Sequence, residues 1–539
     1  MLEVRRLKGP ADILPRAAQL HGDRPALVTG RRTLSYQELD RLSDRLATAL
    51  VGRGAGAGSR VSILAPNSWE WVVAYHGILK AGAVVNPLNV MLTADEIAYV
   101  LKDCGSAAIL TSADRVPTMM EIAARVPSLQ MVISFGDAPP GTLAFTDLLE
   151  QGGSLLDVAG ASRGSLCTIG YTSGTTGRPK GAMQSHQAVL LNCALTAVMH
   201  LRTMHDVVVT ALPAPHVYGN VVINGTFLAG GTVVLMERFD AERSLALIAR
   251  HRATLFEGVP AMYSMLLASS GIAAADLSSL TRCTVGGQTI AVPLMEEWEA
   301  HSGAPLIELW GMTELSGLGT THALYAPNVH GSIGVALPGI EVRVGSLDNH
   351  AVTASVGEPG ELLVRGPLNT LGYLGNEVAT AELIDADGWL HTGDVARADS
   401  DGHFYIVDRM KDMIICGGYN VYPAEIERVV AQHPAVAMVG VGRQPDEIKG
   451  ELARVYVVLR PGAAATEAEL IEFCRPHLAA YKLPRSVRFV PDLPRTSSGK
   501  IMRRLLAESE HASGPGERVI HIRASAAPRQ HPTGQEVSP

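Results

Sequence analysis

The sequence is poor in several features that would narrow its function at once. Six cysteines are spread over 539 residues at positions 104, 167, 193, 283, 416 and 474. No C-x-x-C pair and no Cys/His cluster at zinc spacing occurs, which excludes a disulfide scaffold and a zinc-finger module and predicts buried thiols in a reducing compartment. An excess of basic residues is also missing. Lys and Arg total 45 against 53 Asp and Glu, a formal net charge of −8, which argues against a nucleic-acid coat or a polybasic membrane patch. The first twenty residues carry no apolar core followed by a cleavage site, so no signal peptide is expected. The uncharged stretch Val207–Met236 is interrupted by Pro213, Pro215, Gly219, Asn220, Asn224, Gly225, Gly230 and Gly231. It reads as short strands and turns rather than a membrane span, and a cytoplasmic location is expected. Internal repeats are absent.

What is present is globular composition, 47% hydrophobic and 18% charged, over a length that exceeds a single core of about 250–300 residues. At least two domains are therefore expected. Short β-branched runs, Val61–Ala65, Ala107–Thr111, Val207–Leu212 and Thr232–Met236, alternate with amphipathic stretches. Leu39, Leu42, Leu46 and Leu50 form one helical stripe, and Glu242–His251 reads as another helix. The pattern predicts an α/β fold with helix-covered sheets, and a small β-rich subdomain from Val335 to Val364. A charged junction, Asp408–Asp412 (DRMKD), precedes a smaller α+β unit. That unit has helices at Ala424–His433 and Glu467–Leu478 and strands at Ala437–Gly442, Arg454–Leu459 and Ser486–Val490. The expected layout is a large domain over 1–408, a hinge over 409–412, a mobile domain over 413–507 and a disordered tail over 508–539, where Ser, Gly, Pro and Gln displace the periodic pattern.

The chemistry concentrates in Tyr171–Met183, YTSGTTGRPKGAM. A strand feeds a loop of hydroxyls and glycines, Thr172, Ser173, Gly174, Thr175, Thr176 and Gly177, that ends in Lys180. Backbone N–H groups and hydroxyls can surround phosphate oxygens while a lysine adds a point charge. It is not a Walker A loop, because Gly181 stands where Ser or Thr is required. Gly54–Gly58 (GAGAG) likewise misses the dinucleotide fingerprint, with Ser59 at the third glycine position, and reads as a turn.

The string YTSGTTGRPKGAM resembles the phosphate loop of the adenylate-forming superfamily, which includes acyl- and aryl-CoA synthetases. Further blocks are similar in the same order over about residues 10–506: Leu79–Thr111, Pro213–Gly219 (PAPHVYG), Trp310–Glu314 (WGMTE), His391–Asp394 (HTGD), Asp408–Asp412, Gly417–Glu427 (GGYNVYPAEIE) and Pro494–Lys500 (PRTSSGK). The match is closest to acyl-CoA synthetases. The resemblance implies an ATP-dependent acid–thiol ligase that forms an acyl-adenylate and then a CoA thioester, using ATP, Mg²⁺ and CoA.

It also implies the roles of individual residues. Thr172–Gly177 and Lys180 would hold the β/γ-phosphates and Glu314 Mg²⁺. Trp310 would stack on adenine, bordered by Gly287, Gln288, Gly311, Met312 and Thr313. Asp394 and Arg409 would meet the ribose or phosphate, and Lys500 the α-phosphate and attacking carboxylate. Lys411 would be the hinge, and Gly417, Gly418 and Tyr419 would line the pantetheine entrance. The acyl pocket would involve His216, Val217, Tyr218, Gly286, Gly317 and Leu318, with His216 a gate, a carboxylate neighbour or a packed ring. Few charges there favour an aromatic or fatty acid. Gln288-Thr289 stands where small residues are usual, and GYLGN (Gly372–Asn376) departs slightly from the usual form. The partners implied are a small carboxylic acid, ATP and CoA, with no nucleic acid and a monomer or homodimer left open. The same adenylation with another acceptor, a carrier-protein thiol, an amine or a small inorganic nucleophile, is the alternative.

Overall fold

The computed structural model describes residues 6–30, 32–154, 161–172, 178–446, 448–494 and 501–506. The loop Ser173–Gly177, Lys500 and the 508–539 tail lie outside the described residues. The chain divides into two compact units, one reaching Lys411 and the other starting at Asp412.

The first unit contains three sheets. A nine-stranded sheet has a parallel centre formed by Thr232–Leu235, Val207–Thr210, Leu255–Gly258, Arg282–Val285 and Leu306–Met312. A seven-stranded sheet is parallel from Met131–Ser134 through Ala108–Thr111, Arg60–Leu64 and Val84–Pro87 to Leu166–Thr172, and ends in the antiparallel strand Lys180–Ser185. The third is an antiparallel four-stranded sheet of Glu341–Ser346, Gly360–Arg365, Leu390–Ala398 and Phe404–Arg409. The expected α/β architecture is therefore present, while the small β subdomain, expected over Val335–Val364, extends to Arg409 because two of its four strands follow later in the chain.

Local sequence explains the flanking helices. Helix Tyr36–Val51 starts at a capping box, in which Glu38 N–H donates to Ser35 Oγ and Ser35 N–H donates to Glu38 Oε2, satisfying two otherwise orphaned donors. Its leucine stripe, Leu39, Leu42, Leu46 and Leu50, is buried as the periodicity predicts. The next helix, Trp69–Lys80, is buried along every residue from Trp71 onward. Its terminal Lys80 is held by Asp40 at 2.5 Å and Asp44 at 2.7 Å.

One expectation is corrected. Val207–Met236 is not a chain of short strands and turns, because Val217–Ala229 is a 13-residue helix between its two strands. It is apolar all round since it lies in the core, so no amphipathic stripe announces it. His216 caps its start and Gly230, at φ 83°, ends it in the left-handed region. Helix Glu467–Cys474 is also shorter than expected. The six cysteines are free and buried, and among the described residues no helix is long and apolar enough to cross a membrane.

The second unit is built on a five-stranded sheet of Tyr419–Val421, Ile414–Cys416, Gly450–Leu459, Val436–Asp446 and Ser486–Phe489, with helices Pro423–Val430 and Glu467–Cys474. Arg503 forks onto both oxygens of Glu427 and reaches Asp412 at 3.2 Å.

Beneath the first unit's parallel sheet lies a fully buried ion pair. Arg202 Nη2 donates to Glu257 Oε1 at 2.5 Å, both side chains being inaccessible to water. Glu257 Oε2 accepts from Thr284 Oγ1 at 2.8 Å. Removing one partner of such a pair strands the other's charge in a low-dielectric interior. Arg202→Met is expected to destabilise the unit by about 3–5 kcal/mol, and adding Glu257→Leu to recover most of that loss. Urea unfolding of the two variants checks both outcomes.

Candidate functional site

The strand Leu306–Met312 leaves the parallel sheet carrying Trp310, turns tightly through Thr313–Leu315 and returns as Gly317–Thr321. Backbone contact makes the turn tight. A Cβ on Gly311 would sit 2.1 Å from the carbonyl oxygen of Gly317, so only glycine fits. Asn192, from helix His186–Met199, clamps the return: its amide donates to the carbonyls of Leu315 and Leu318, and its oxygen accepts from Leu318 N–H. From the neighbouring sheet, Gln184 donates to the Thr313 carbonyl at 2.8 Å. Thus Glu314 is fixed by two sheets at once.

Glu314 is buried, and Tyr373 Oη donates to its Oε1 at 2.7 Å. Burial pushes the Glu314 carboxyl above its usual range, the hydrogen bond from Tyr373 and the charge of Arg409 oppose that rise, and the charge of Asp394 adds to it. The other face of Tyr373 meets a cation, with Lys180 Nζ lying 5.2 Å from the ring centroid. Burial, reinforced by the neighbouring Glu314, keeps the Tyr373 hydroxyl protonated. The segment holding Tyr373 is tied along strand Lys180–Ser185 by Leu371 N–H to Met183 O, Met183 N–H to Gly372 O and Leu374 N–H to Gly181 O, and Thr370 N–H donates to the Glu314 carbonyl. Tyr373 thus joins two of the expected residues, Lys180 and Glu314. Sequence reasoning noted its GYLGN segment but gave it no role; only the tertiary pairing shows one.

Asp394 is the second focus. Its Oδ2 accepts from Trp310 Nε1 at 2.9 Å, and its Oδ1 pairs with Arg409 Nε at 2.5 Å. Asp394 and Arg409 are cross-strand neighbours in the four-stranded sheet, whereas Trp310 belongs to the nine-stranded one. The Asp394 N–H donates to Thr392 Oγ1 at 3.0 Å, which holds the strand's shape at this point. Trp310, Asp394 and Arg409 therefore converge.

Around the expected acyl pocket, Tyr218, Gly286, Gly317 and Leu318 are buried while Val217 and Gln288 are half-buried and Gly287 is exposed. The Tyr218 hydroxyl is 2.7 Å from Thr284 Oγ1, which in turn donates to Glu257. Glu257 is thus neutralised from both sides and presents no free charge. His216 is accessible to solvent, yet dense surroundings lower its basicity. Its Nδ1 accepts from Tyr218 N–H at 3.3 Å, an arrangement that leaves Nε2 as the protonated nitrogen of the neutral ring.

In the second unit, Gly417 and Gly418, with φ values of 58° and 84°, form the two-residue connection between Ile414–Cys416 and Tyr419–Val421. Positive φ at both positions is what a type I′ hairpin demands, so the turn alone accounts for both glycines. Tyr419 is exposed and stacks on Tyr481 with centroids 4.7 Å apart. Lys411 is exposed at the end of the first unit.

Comparison with known proteins identifies the family. Residues 14–374 match the AMP-binding enzyme family model, and residues 425–500 match that of the AMP-binding enzyme C-terminal domain. A methyl-dioxo-octahydroindenyl-propanoyl:CoA ligase of Mycobacterium tuberculosis is 36% identical, covering 90% of this chain and 96% of its own. A long-chain-fatty-acid–CoA ligase of Bacillus subtilis is 33% identical, covering 92% and 94%. Among solved structures, ATP-bound MatB from Rhodopseudomonas palustris superposes with a TM-score of 0.86 at 32% identity, over 93% of this chain and 99% of that one. With a family model spanning most of its length and relatives matched nearly end to end, this chain belongs to the AMP-binding enzyme family.

Proposed function

We propose that the site formed by Lys180, Tyr373, Glu314, Trp310, Asp394 and Arg409 binds ATP and joins its adenylyl group to an aromatic or fatty acid. The chain is an ATP-dependent carboxylate–CoA ligase: R-COO⁻ and ATP give R-CO-AMP and pyrophosphate, and the thiol of CoA then displaces AMP to leave R-CO-S-CoA. Activation is needed because a carboxylate is anionic and has no good leaving group, whereas AMP is one. The observation that carries the reading is the convergence of an indole, two carboxylates, a guanidinium and an ammonium inside one unit.

Bringing an anion to a polyanion requires preorganised positive charge. Lys180 supplies it at the β/γ-phosphates together with Thr172 and the following loop through Gly177. Glu314, a buried hard oxygen donor, suits Mg²⁺, which binds through one or two carboxylates plus phosphate oxygens. Bound there, the ion would neutralise phosphate charge, and Tyr373 would orient the carboxylate that holds it. Trp310 offers a flat apolar face to adenine, while its N–H keeps Asp394 turned toward the ribose and Arg409 keeps that carboxylate paired. Lys500 supplies charge at the α-phosphate. Lys411 serves as the pivot between the two half-reactions, and Gly417, Gly418 and Tyr419 line the entrance for the pantetheine arm. The pocket's buried, uncharged lining around Tyr218, Gly286, Gly317 and Leu318 favours an apolar tail. The relatives named as CoA ligases favour CoA over another acceptor.

A screen of benzoates, cinnamates and fatty acids for acid-dependent exchange of labelled pyrophosphate into ATP, followed by CoA-dependent AMP release, tests the reading; no exchange with any acid overturns it. Lys500→Ala is expected to collapse exchange while sparing thioester formation from a supplied acyl-adenylate, and equal loss in both half-reactions would deny the lysine a step-specific role. Lys411→Pro should slow the thioester step selectively. Tyr373→Phe removes one hydrogen bond to a charged group, and a roughly tenfold rise in the half-saturating magnesium–ATP concentration is expected, read by titrating exchange at fixed acid.

A further inference from the structure

A second cluster of ligating side chains lies in the four-stranded sheet, apart from the residues assigned above. His350 stands in the turn after strand Glu341–Ser346, Glu361 on Gly360–Arg365 and His391 on Leu390–Ala398. Glu361 is buried, and a single one of its oxygens, Oε2, faces both imidazoles: His391 Nδ1 at 2.7 Å and His350 Nδ1 at 3.1 Å. One ligand atom from each of the three residues lies within 4.8 Å of the others. The two rings are tilted by 40° to each other, with centroids 5.4 Å apart. The other oxygen, Oε1, accepts from Gly393 N–H at 3.0 Å, so the carboxylate is oriented from behind as ligating carboxylates are.

The cluster opens onto a cavity of about 610 Å³. Asp348, Asp385 and Asp387 line that cavity, and Arg343 is the one Lys or Arg among its lining residues. Arg343 is drawn onto the face of Trp389, 4.5 Å from the ring centroid. Asp385 Oδ2 reaches to 3.7 Å from His391 Nε2. Three aspartates thus line the recess against Arg343, with Arg365 on the same Trp389 ring at 4.5 Å from its centroid, and Glu361 Oε2 beside the recess is shared by two imidazole nitrogens.

We propose that His350, Glu361 and His391 bind a divalent transition-metal ion of the zinc class, separate from the magnesium of the nucleotide site. Two imidazoles and one carboxylate form a donor set that zinc accepts with a fourth position left to water, and nitrogen donors select against magnesium. In the metal-free protein two N–H protons occupy the space before Glu361 Oε2. A divalent ion bound there takes the Nδ1 lone pair of each neutral imidazole, whose proton is then carried on Nε2, and for His391 that nitrogen lies 3.7 Å from Asp385 Oδ2. His350, half-buried in a turn, can rotate to complete the shell. The bound ion links this turn to strand Leu390–Ala398, and Glu361 links it onward to Gly393, next to Asp394.

The test uses the full-length, untagged protein, stripped of metal and titrated with ZnCl₂ by calorimetry in the presence of excess Mg²⁺. Tight binding of one Zn²⁺ per chain is expected, with an increase in melting temperature. His350→Ala should weaken binding by on the order of 100-fold, since loss of a ligand costs at least what loss of its outer partner does, and should abolish the thermal increment. Zinc affinity unchanged in His350→Ala, or absent from the wild type at micromolar free zinc, overturns the site. Should the variant not fold, anomalous diffraction at the zinc edge from wild-type crystals decides: a peak between the three side chains upholds the proposal and its absence refutes it.

Discussion

Everything in the proposed nucleotide site depends on one buried carboxylate engaged from two directions. Asp394 accepts from Trp310 Nε1 through one oxygen and pairs with Arg409 through the other. Since Trp310 comes from the nine-stranded sheet and Asp394 and Arg409 from the four-stranded one, this pair of contacts joins two separately built sheets. A buried ionised carboxylate is costly unless both its oxygens are satisfied. Meeting that requirement here also sets an aromatic face beside a carboxylate and a guanidinium, the combination a nucleoside phosphate needs. Satisfaction of the charge and construction of the site are the same event.

The third sheet enters by a parallel device. Strand Lys180–Ser185 borrows Thr370–Leu374 as an extra neighbour, and that segment delivers Tyr373 between Glu314 and Lys180. Tyr373 does with its two ends what neither charged partner can do alone. Its hydroxyl holds the carboxylate by a hydrogen bond, and its ring attracts the ammonium, so a cation and an anion are kept near each other without collapsing into a salt bridge. A direct bridge would consume the charges that phosphate and magnesium have to find free.

Much of this was legible beforehand because the chemistry is written in short, contiguous strings. The blocks holding Lys180, Glu314, Asp394 and Arg409 could be ordered along the chain, and the leucine stripe of Tyr36–Val51 and the Thr232–Leu235 and Val207–Thr210 strands followed from period alone. What escaped was whatever depends on distant pairing. Helix Val217–Ala229 is apolar on all sides, so periodicity could not separate it from strands. Asn192 carries no motif, and its three hydrogen bonds to the turn after Glu314 exist only in three dimensions. The Gly417-Gly418 pair shows a different ambiguity: a motif suggests a path for a thin ligand, and the positive φ of both residues shows that the hairpin needs glycine there in any case.

The charge balance of the site completes the argument. Burial and the nearby charge of Asp394 raise the cost of ionising Glu314, and Tyr373 and Arg409 oppose that rise. Lys180 faces the ring of Tyr373. Two carboxylates, Glu314 and Asp394, are thus matched by one guanidinium and one ammonium, Arg409 and Lys180, before any ligand arrives. In the proposed function a polyanionic nucleotide would add negative charge that a magnesium ion offsets, so metal and nucleotide would stabilise one another's binding. The acid to be activated meets no comparable anionic demand, because Glu257, the buried carboxylate near Tyr218, is already saturated by Arg202 and Thr284. Charged groups are concentrated at the proposed ATP site and unpaired charge is withheld from the proposed acyl pocket, a separation that would let one unit hold a polyanion and an apolar chain side by side.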